Sequence, residues 1–132
     1  MCTERRYRGY RLDELLIVEI AWSDRAAAHI QDRTRRYPGS DDELNIAPEW
    51  ATEAALDPFG RLSLTESDDL RVLGWTPHAP AAPWSKRNGR VLRVVLWPVD
   101  METGFWRGAT AMPASENAAS LYWDRRGDPG PA

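Results

Sequence analysis

Four arginines in the second half of the chain are the side chains best suited to hold a phosphate group. Arg90 and Arg93 lie in one apolar segment, Arg107 lies in the next, and Arg71 precedes both. A guanidinium group is always charged and donates paired N–H groups to phosphate oxygens. The alternative is that these arginines are solvated strand residues. The arginine-rich composition, sixteen of seventeen basic residues, would then only reflect the base composition of the gene.

His29 is the candidate general acid or base, and it shares its segment with Arg25 and Arg33. Its alternative role is to anchor a helix through a hydrogen bond to a neighbouring carbonyl group. Two histidines without a carboxylate at ligand spacing, together with the single cysteine Cys2, predict neither a metal site nor a disulfide framework. The sequence has no phosphate-binding loop, nucleophile elbow or dinucleotide motif, so we predict no cofactor.

Seven tryptophans are many for 132 residues. Trp84 lies in a proline-rich loop at residues 78–86, where we expect it to be exposed and able to stack on an unpaired base. Trp22 and Trp97 are expected to pack in the core.

Charge is unevenly distributed along the chain. The whole sequence carries a net charge of −3 with a pI near 5.4, which argues against a general affinity for nucleic acids. Residues 38–69 contain nine acidic residues and one basic residue, Arg61, whereas residues 70–112 contain six basic and two acidic residues. Residues 70–112 are therefore predicted to form a locally basic surface.

The elements that position these side chains follow from hydrophobic periodicity and turn residues. Strands are predicted over 15–22, 70–75, 90–99 and 105–112, and helices over 24–36, 48–56 and 113–123. The Asn88-Gly89 turn and the polar loop 100–104 predict that 90–99 and 105–112 form an antiparallel hairpin at the centre of a sheet. Alternation then sends Arg93 to one face of the hairpin and Arg90 to the other.

This order predicts a single α+β domain over residues 1–132. It has a mostly antiparallel, twisted sheet of about four strands, two helices of the N-terminal half packed on it, and a short C-terminal helix. Residues 1–12 are expected to form a loose arm and residues 126–132 a disordered tail. No apolar segment has membrane-spanning or signal length, so we expect a cytoplasmic protein without a membrane partner. Homo-oligomer formation stays open, because hairpin edges and exposed tryptophans permit it.

A series of short motifs runs in order along residues 17–123. They are Trp22 at the end of a strand, His29-Ile30-Gln31-Asp32-Arg33, residues 46–54 followed by Asp57-Pro58, Gly74, Gly89-Arg90-Val91-Leu92-Arg93-Val94-Val95, Thr110-Ala111 and Leu121-Tyr122. In this order they resemble the BrnT-like toxins of bacterial toxin–antitoxin systems, which share the fold of RelE-type ribonucleases.

The resemblance implies a metal-independent endoribonuclease that acts on RNA and is neutralised by a cognate antitoxin protein. Such an enzyme helps a 2′-hydroxyl attack the neighbouring phosphate and stabilises the resulting phosphorane with fixed cations. The candidate catalytic residues are then Arg90, His29 and Arg107. The candidate RNA-binding residues are Arg71, Arg93, Arg33, Arg25 and Trp84.

Departures from the family pattern bear on this activity. Met112 follows Thr110-Ala111 where the family places an arginine, and Thr34 stands at a family histidine. The last helix begins Ser115-Glu116-Asn117, where family members are rich in arginine. The alternative function is therefore a catalytically inactive binding or regulatory module of the same fold, which acts through protein–protein contacts.

Overall fold

The computed structural model describes residues 6–36 and 44–128. Its strands are β1 (Arg6–Tyr7), β2 (Tyr10–Arg11), β3 (Glu19–Ala21), β4 (Arg61–Leu64), β5 (Leu70–Thr76), β6 (Arg90–Asp100) and β7 (Phe105–Pro113). Its helices are a 3-10 turn (Leu12–Glu14), α1 (Asp24–Gln31), α2 (Arg33–Arg36), α3 (Pro48–Ala55) and α4 (Glu116–Arg126). The predicted α+β class is confirmed.

The main sheet has the strand order β3-β7-β6-β5-β4. β6 lies at its centre and pairs antiparallel with both β5 and β7, as the hairpin prediction requires. β3 pairs parallel with β7, where Ile20 lies opposite Trp106. The sheet is therefore mixed but mostly antiparallel, and β3 and β4 form its edges.

The two faces of the sheet are covered by different helices. Alternation along β6 sends Leu92 and Leu96 into the main core, which α1 and α3 complete. Val91, on the opposite face, packs with Trp123 of α4 in a smaller apolar cluster. α4 covers this second face only near the start of β6, and Trp97 further along the strand stays exposed.

Helix α3 lies directly on the sheet because β5 has a glycine where the helix crosses it. A β-carbon built on Gly74 would lie 2.8 Å from the carbonyl carbon of Ala54 and closer still to its oxygen. The helix begins at Pro48 and ends at Ala55, close to the predicted range. This close approach brings Glu53 of α3 next to the end of β5.

The edges of the sheet differ from the prediction. The sequence predicts a first strand over 15–22 inside the sheet, but β3 has three residues and lies at the edge. The preceding extended segment contacts β7 through the Leu16 carbonyl oxygen, which accepts a hydrogen bond from Trp106 Nε1 at 2.8 Å. β4 was missing from the prediction because residues 59–68 resemble a turn. The main sheet therefore has five strands instead of about four.

The helix layout also needs correction. The predicted helix 24–36 is interrupted at Asp32, and the chain continues as α2. The last helix was predicted over 113–123, but Pro113 ends β7 and Ser115 caps α4 by accepting the N–H of Ala118. α4 then extends to Arg126 on the face of the sheet opposite α1 and α3.

Part of the predicted loose arm is attached to the core. β1 and β2 pair as a two-stranded ribbon, and Tyr7 is buried with its ring centroid 5.7 Å from that of Trp106. Residues 1–5 of the arm and residues 129–132 of the predicted tail lie outside the described residues. Among the helices of the described ranges, none combines the length and the apolar character needed to span a membrane.

Candidate functional site

One face of the main sheet carries three arginines beside α4. We call it the open face and define it by Arg61, Arg71 and Arg93. Arg61 and Arg93 both lie opposite Leu73 in the strand register, and Arg71 lies two residues before Leu73 on β5. The three side chains therefore point to the same side from three neighbouring strands. They line a shared cavity of about 340 Å³ with Leu121 of α4.

Two of these arginines are held by neutral hydroxyl groups. Arg71 Nε donates to Ser63 Oγ at 3.1 Å, and Arg93 Nη2 donates to Ser115 Oγ at 3.2 Å. Within residues 6–36 and 44–128, neither guanidinium forms an ion pair with a carboxylate. Their positive charge can therefore attract an anion from solution. Ser115 is also the N-cap of α4, so the positive end of the helix dipole lies beside Arg93.

The structure brings a second group of the predicted site residues together. His29 and Arg25 of α1 line a cavity of about 500 Å³ with Arg107 and Trp97 of the β6–β7 hairpin. The guanidinium carbon of Arg107 lies 5.0 Å from the centre of the Trp97 ring, which is a cation–π distance. Arg107 and Trp97 lie opposite each other in the register, and Trp97 is on the same side of β6 as Arg93. This cavity therefore adjoins the open face.

Arg90 and Arg33 do not join either group. Arg90 is only 6% exposed and lies on the face of β6 that packs on the main core. A buried guanidinium at this place cannot reach a large substrate without rearrangement of the fold. Arg33 is half-buried at the start of α2 and does not line either cavity.

Two of the three tryptophans named in the sequence analysis have environments different from those predicted. Trp84 was expected to be exposed, but it is half-buried against the apolar cluster of α4. Trp97 was expected in the core, but it is 42% exposed beside Arg107. The aromatic ring available for stacking near the arginines is therefore Trp97.

Met112 lies directly beside the open face. It is opposite Arg93 in the register of β6 and β7. A thioether side chain instead of a cation therefore lies next to Arg93, at the place where the arginines gather.

A carboxylate that sequence reasoning missed connects three elements at one end of the sheet. Asp57 Oδ1 accepts the N–H of Phe59 at 2.9 Å, and Oδ2 accepts the N–H of Trp75 at 2.9 Å and the O–H of Tyr122. Arg126 Nη1 in turn donates to Tyr122 Oη at 3.1 Å. Asp57 therefore ties the loop after α3 to β5 and α4. The only sequence signal was its place in the Asp57-Pro58 motif.

The environment of Tyr122 keeps its phenol protonated. Burial, followed by the hydrogen bond to Asp57 and the charge of that carboxylate, raises the pKa of Tyr122 above its ordinary value. The phenol thus acts as a hydrogen-bond donor to Asp57 at neutral pH.

The Asp57 network forms one wall of a large aromatic cleft, which we define by Trp22, Phe59, Trp75 and Arg126. The cleft has a volume of about 820 Å³ and lies between α3, the loop after α3 and the end of α4. Trp22 is fixed in it by a hydrogen bond from its Nε1 to Thr52 Oγ1 at 2.9 Å.

Glu53, at the edge of the aromatic cleft, joins α3 to the end of β5. Its Oε1 accepts the hydroxyl of Thr76, and its Oε2 lies 2.9 Å from His78 Nδ1. His78, which the sequence analysis left without a role, is therefore a partner of this carboxylate. Burial alone would raise the pKa of Glu53, but the hydrogen bonds from Thr76 and His78 outweigh it and lower the pKa below the ordinary 4.5.

We expect this pKa shift to make the stability of the protein depend on pH in acid. A carboxyl group with a lowered pKa in the folded state stabilises the fold above its ordinary pKa of 4.5 and loses that contribution as the pH falls through the folded-state pKa. The urea concentration at the unfolding midpoint should therefore be higher for wild type than for Glu53→Gln at neutral pH. This difference between the two midpoints should shrink well below pH 4.5. Glu49→Gln, on an exposed position of the same helix, is the control. A constant difference across this range would contradict the assignment.

In the part of the chain that the structure describes, no three His, Cys, Asp or Glu side chains come together as a metal site. Compared with known proteins, the chain matches no family model, no curated protein and no solved structure. Its function must therefore be inferred from the arrangement of these residues.

Proposed function

We propose that this protein is the toxin-like component of a bacterial toxin–antitoxin system and that it acts on RNA through its open face. The observation that carries the proposal is the pair Arg71 and Arg93, which project from adjacent strands and, among the residues that the structure describes, are held by hydroxyl groups instead of carboxylates. The motif order and the sheet, with the first main strand parallel to the last, support a RelE-type fold and the expectation of a cognate antitoxin partner. An antitoxin with acidic side chains would neutralise the protein by covering the open face.

The cavity of His29 and Arg107 is the place where the RNA backbone would be cleaved. Trp97 is four residues beyond Arg93 on β6, a distance of roughly 13 Å, so one single strand can contact both the open face and this cavity. His29 would accept the proton of the attacking 2′-hydroxyl, and Arg107 would stabilise the charge of the phosphorane. The P–O5′ bond then breaks, the leaving 5′-oxygen takes the proton back from His29, and a 2′,3′-cyclic phosphate remains. Arg25 adds a second cation at the same cavity.

The second candidate is a module of the same fold that binds its target without cleaving it. Met112 favours it, because a thioether lies beside Arg93 where the family has a guanidinium. In this case the open face and its affinity for polyanions persist, but the cavity around His29 has no catalytic role.

Binding of single-stranded RNA to the purified protein tests what both candidates share. The double variant Arg71→Ala/Arg93→Ala should bind RNA more weakly, and the slope of log affinity against log salt concentration should fall by about 0.7 for each lost phosphate contact. Fluorescence anisotropy over a salt series measures both quantities. Arg35→Ala, at an exposed arginine of α2 paired with Asp32, is the matched control. Equal affinity of the double variant and wild type would refute the open face as the RNA-binding surface.

Induction of the gene alone in a bacterium separates the two candidates. The ribonuclease is supported if induction causes growth arrest and RNA cleavage, and if both disappear in His29→Ala. The purified His29→Ala variant should still bind RNA. Normal growth with intact RNA refutes the ribonuclease and leaves the binding module.

A further inference from the structure

We propose that the aromatic cleft binds one unpaired nucleobase together with its 5′-phosphate. The inference rests on the proposed function for the source of that nucleotide, a single-stranded RNA. It assigns base recognition to a site other than the open face.

The walls of the cleft are suited to stacking. Trp22, Phe59 and Trp75 line it, and Phe59 is 52% exposed, so the face of its ring that Arg126 does not cover is accessible to a ligand. A volume of about 820 Å³ is within the range of sites for small molecules and is large enough for a nucleotide. Aromatic side chains bind unpaired bases by stacking on their faces. The Asp57 network holds two of these walls, since it accepts the N–H groups of Phe59 and Trp75.

A fixed cation lies in the same cleft. The guanidinium carbon of Arg126 is 4.4 Å from the centre of the Phe59 ring and 5.4 Å from that of Trp75. One N–H group is used by Tyr122, and in the described ranges Arg126 forms no ion pair with a carboxylate. Arg126 and Trp75 also line an adjoining cleft that contains Lys86. A phosphate attached to a stacked base would therefore meet the Arg126 guanidinium.

A further carboxylate of the cleft, Glu49, provides base selectivity. Glu49 lies in the first turn of α3, is exposed and lines the cleft. A carboxylate accepts hydrogen bonds from the exocyclic amino groups of cytosine and adenine and from the adjacent N1–H and amino groups of guanine, whereas uracil offers a single ring N3–H. The cleft should therefore bind bases with an amino group better than uracil.

The cation also favours a nucleotide over the apolar segment of a partner protein. An apolar segment that filled this cleft would bury the Arg126 guanidinium and the exposed Glu49 carboxylate without offering polar partners to either, which is unfavourable. A nucleotide instead covers the aromatic rings with its base and neutralises Arg126 with its phosphate.

A titration of the full-length protein with nucleotides tests the proposal. The ligands are CMP, AMP, GMP, UMP and the corresponding nucleosides, and NMR follows the indole N–H signals of Trp22 and Trp75. CMP, AMP or GMP should shift these signals at lower concentration than UMP does. Phe59→Ala should weaken the binding about tenfold through loss of one stacking ring. Val99→Ala, at an equally exposed apolar position on β6, should bind like wild type. Arg126→Gln should remove the preference for nucleotides over nucleosides.

The outcomes that overturn the proposal are distinct from those that overturn the RNA-binding role of the open face. Unchanged indole signals with all nucleotides at millimolar concentration, or equal binding by Phe59→Ala and Val99→Ala, would refute the nucleotide site. Saturation of the cleft by an apolar peptide without any nucleotide binding would also refute it. If the double variant Arg71→Ala/Arg93→Ala still binds mononucleotides, the nucleotide site is separate from the open face. If the double variant no longer binds them, the nucleotide binds on the open face instead.

Discussion

Replacement of Gly74 by alanine is expected to destabilise the fold strongly. The added methyl group would overlap the carbonyl group of Ala54, so α3 would have to move away from the sheet. Overpacking of a core usually costs about 1–3 kcal/mol. Here the obstacle is helix backbone instead of a flexible side chain, and α3 contributes Ala51, Ala54 and Ala55 to the core. We therefore expect a loss of more than about 3 kcal/mol in the free energy of unfolding.

Urea unfolding followed by far-UV circular dichroism measures this loss. Gly9→Ala is the matched control, because a β-carbon at Gly9 meets nothing within 4 Å. Because Gly9 has a φ of +89°, the cost expected for alanine at this position is that of a left-handed backbone conformation, about 1–2 kcal/mol. Equal midpoints for the two variants would show that α3 does not lie against β5 as described.

Replacement of Asp57 by alanine is expected to have the next largest effect on stability. The variant leaves the N–H of Trp75 and the O–H of Tyr122 without their acceptor, and both groups are partly or fully buried. An unsatisfied buried donor costs about 1–3 kcal/mol, so the two together should lower the free energy of unfolding by roughly 2–6 kcal/mol. Loss of the same carboxylate should also release Arg126 and disorder the aromatic cleft.

The control for Asp57→Ala is Asp100→Ala. Asp100 also accepts backbone N–H bonds, from Glu102 and Thr103, but it does so in an exposed loop where water can replace it. A thermodynamic cycle with Tyr122→Phe isolates the Asp57–Tyr122 hydrogen bond and should give a coupling energy of about 0.5–3 kcal/mol. Additive effects of the two substitutions would mean that Asp57 does not act through Tyr122.

The strands of the hairpin could be predicted because their signals are local. Val91, Val94 and Val95 are β-branched, burial alternates along β6 from Leu92 to Trp97, and the Asn88-Gly89 turn defines where β6 begins. Alternation also shows that Arg90 and Arg93 point to opposite faces. It does not show which face is buried, because the position of α3 on the sheet decides that. The family pattern favoured Arg90, but the helix buries it.

The sites that escaped prediction depend on contacts between distant parts of the sequence. Asp57 accepts hydrogen bonds from Trp75 and from Tyr122 on two other elements, and no periodicity reports such a pairing. Arg61 was not a candidate because β4 is a four-residue edge strand whose pattern is too short to distinguish from a turn. The role of His78 could not be predicted, because its contact with Glu53 depends on the crossing of α3 over Gly74.

The parallel pairing of Ile20 with Trp106 has a consequence for the time course of biosynthesis. A nascent chain leaves the ribosome from its N terminus, so β3 is synthesised long before its neighbour β7. Until β7 emerges, the cavity that combines His29 with Arg107 does not exist. A nascent chain of this protein therefore cannot assemble that cavity until translation nears completion.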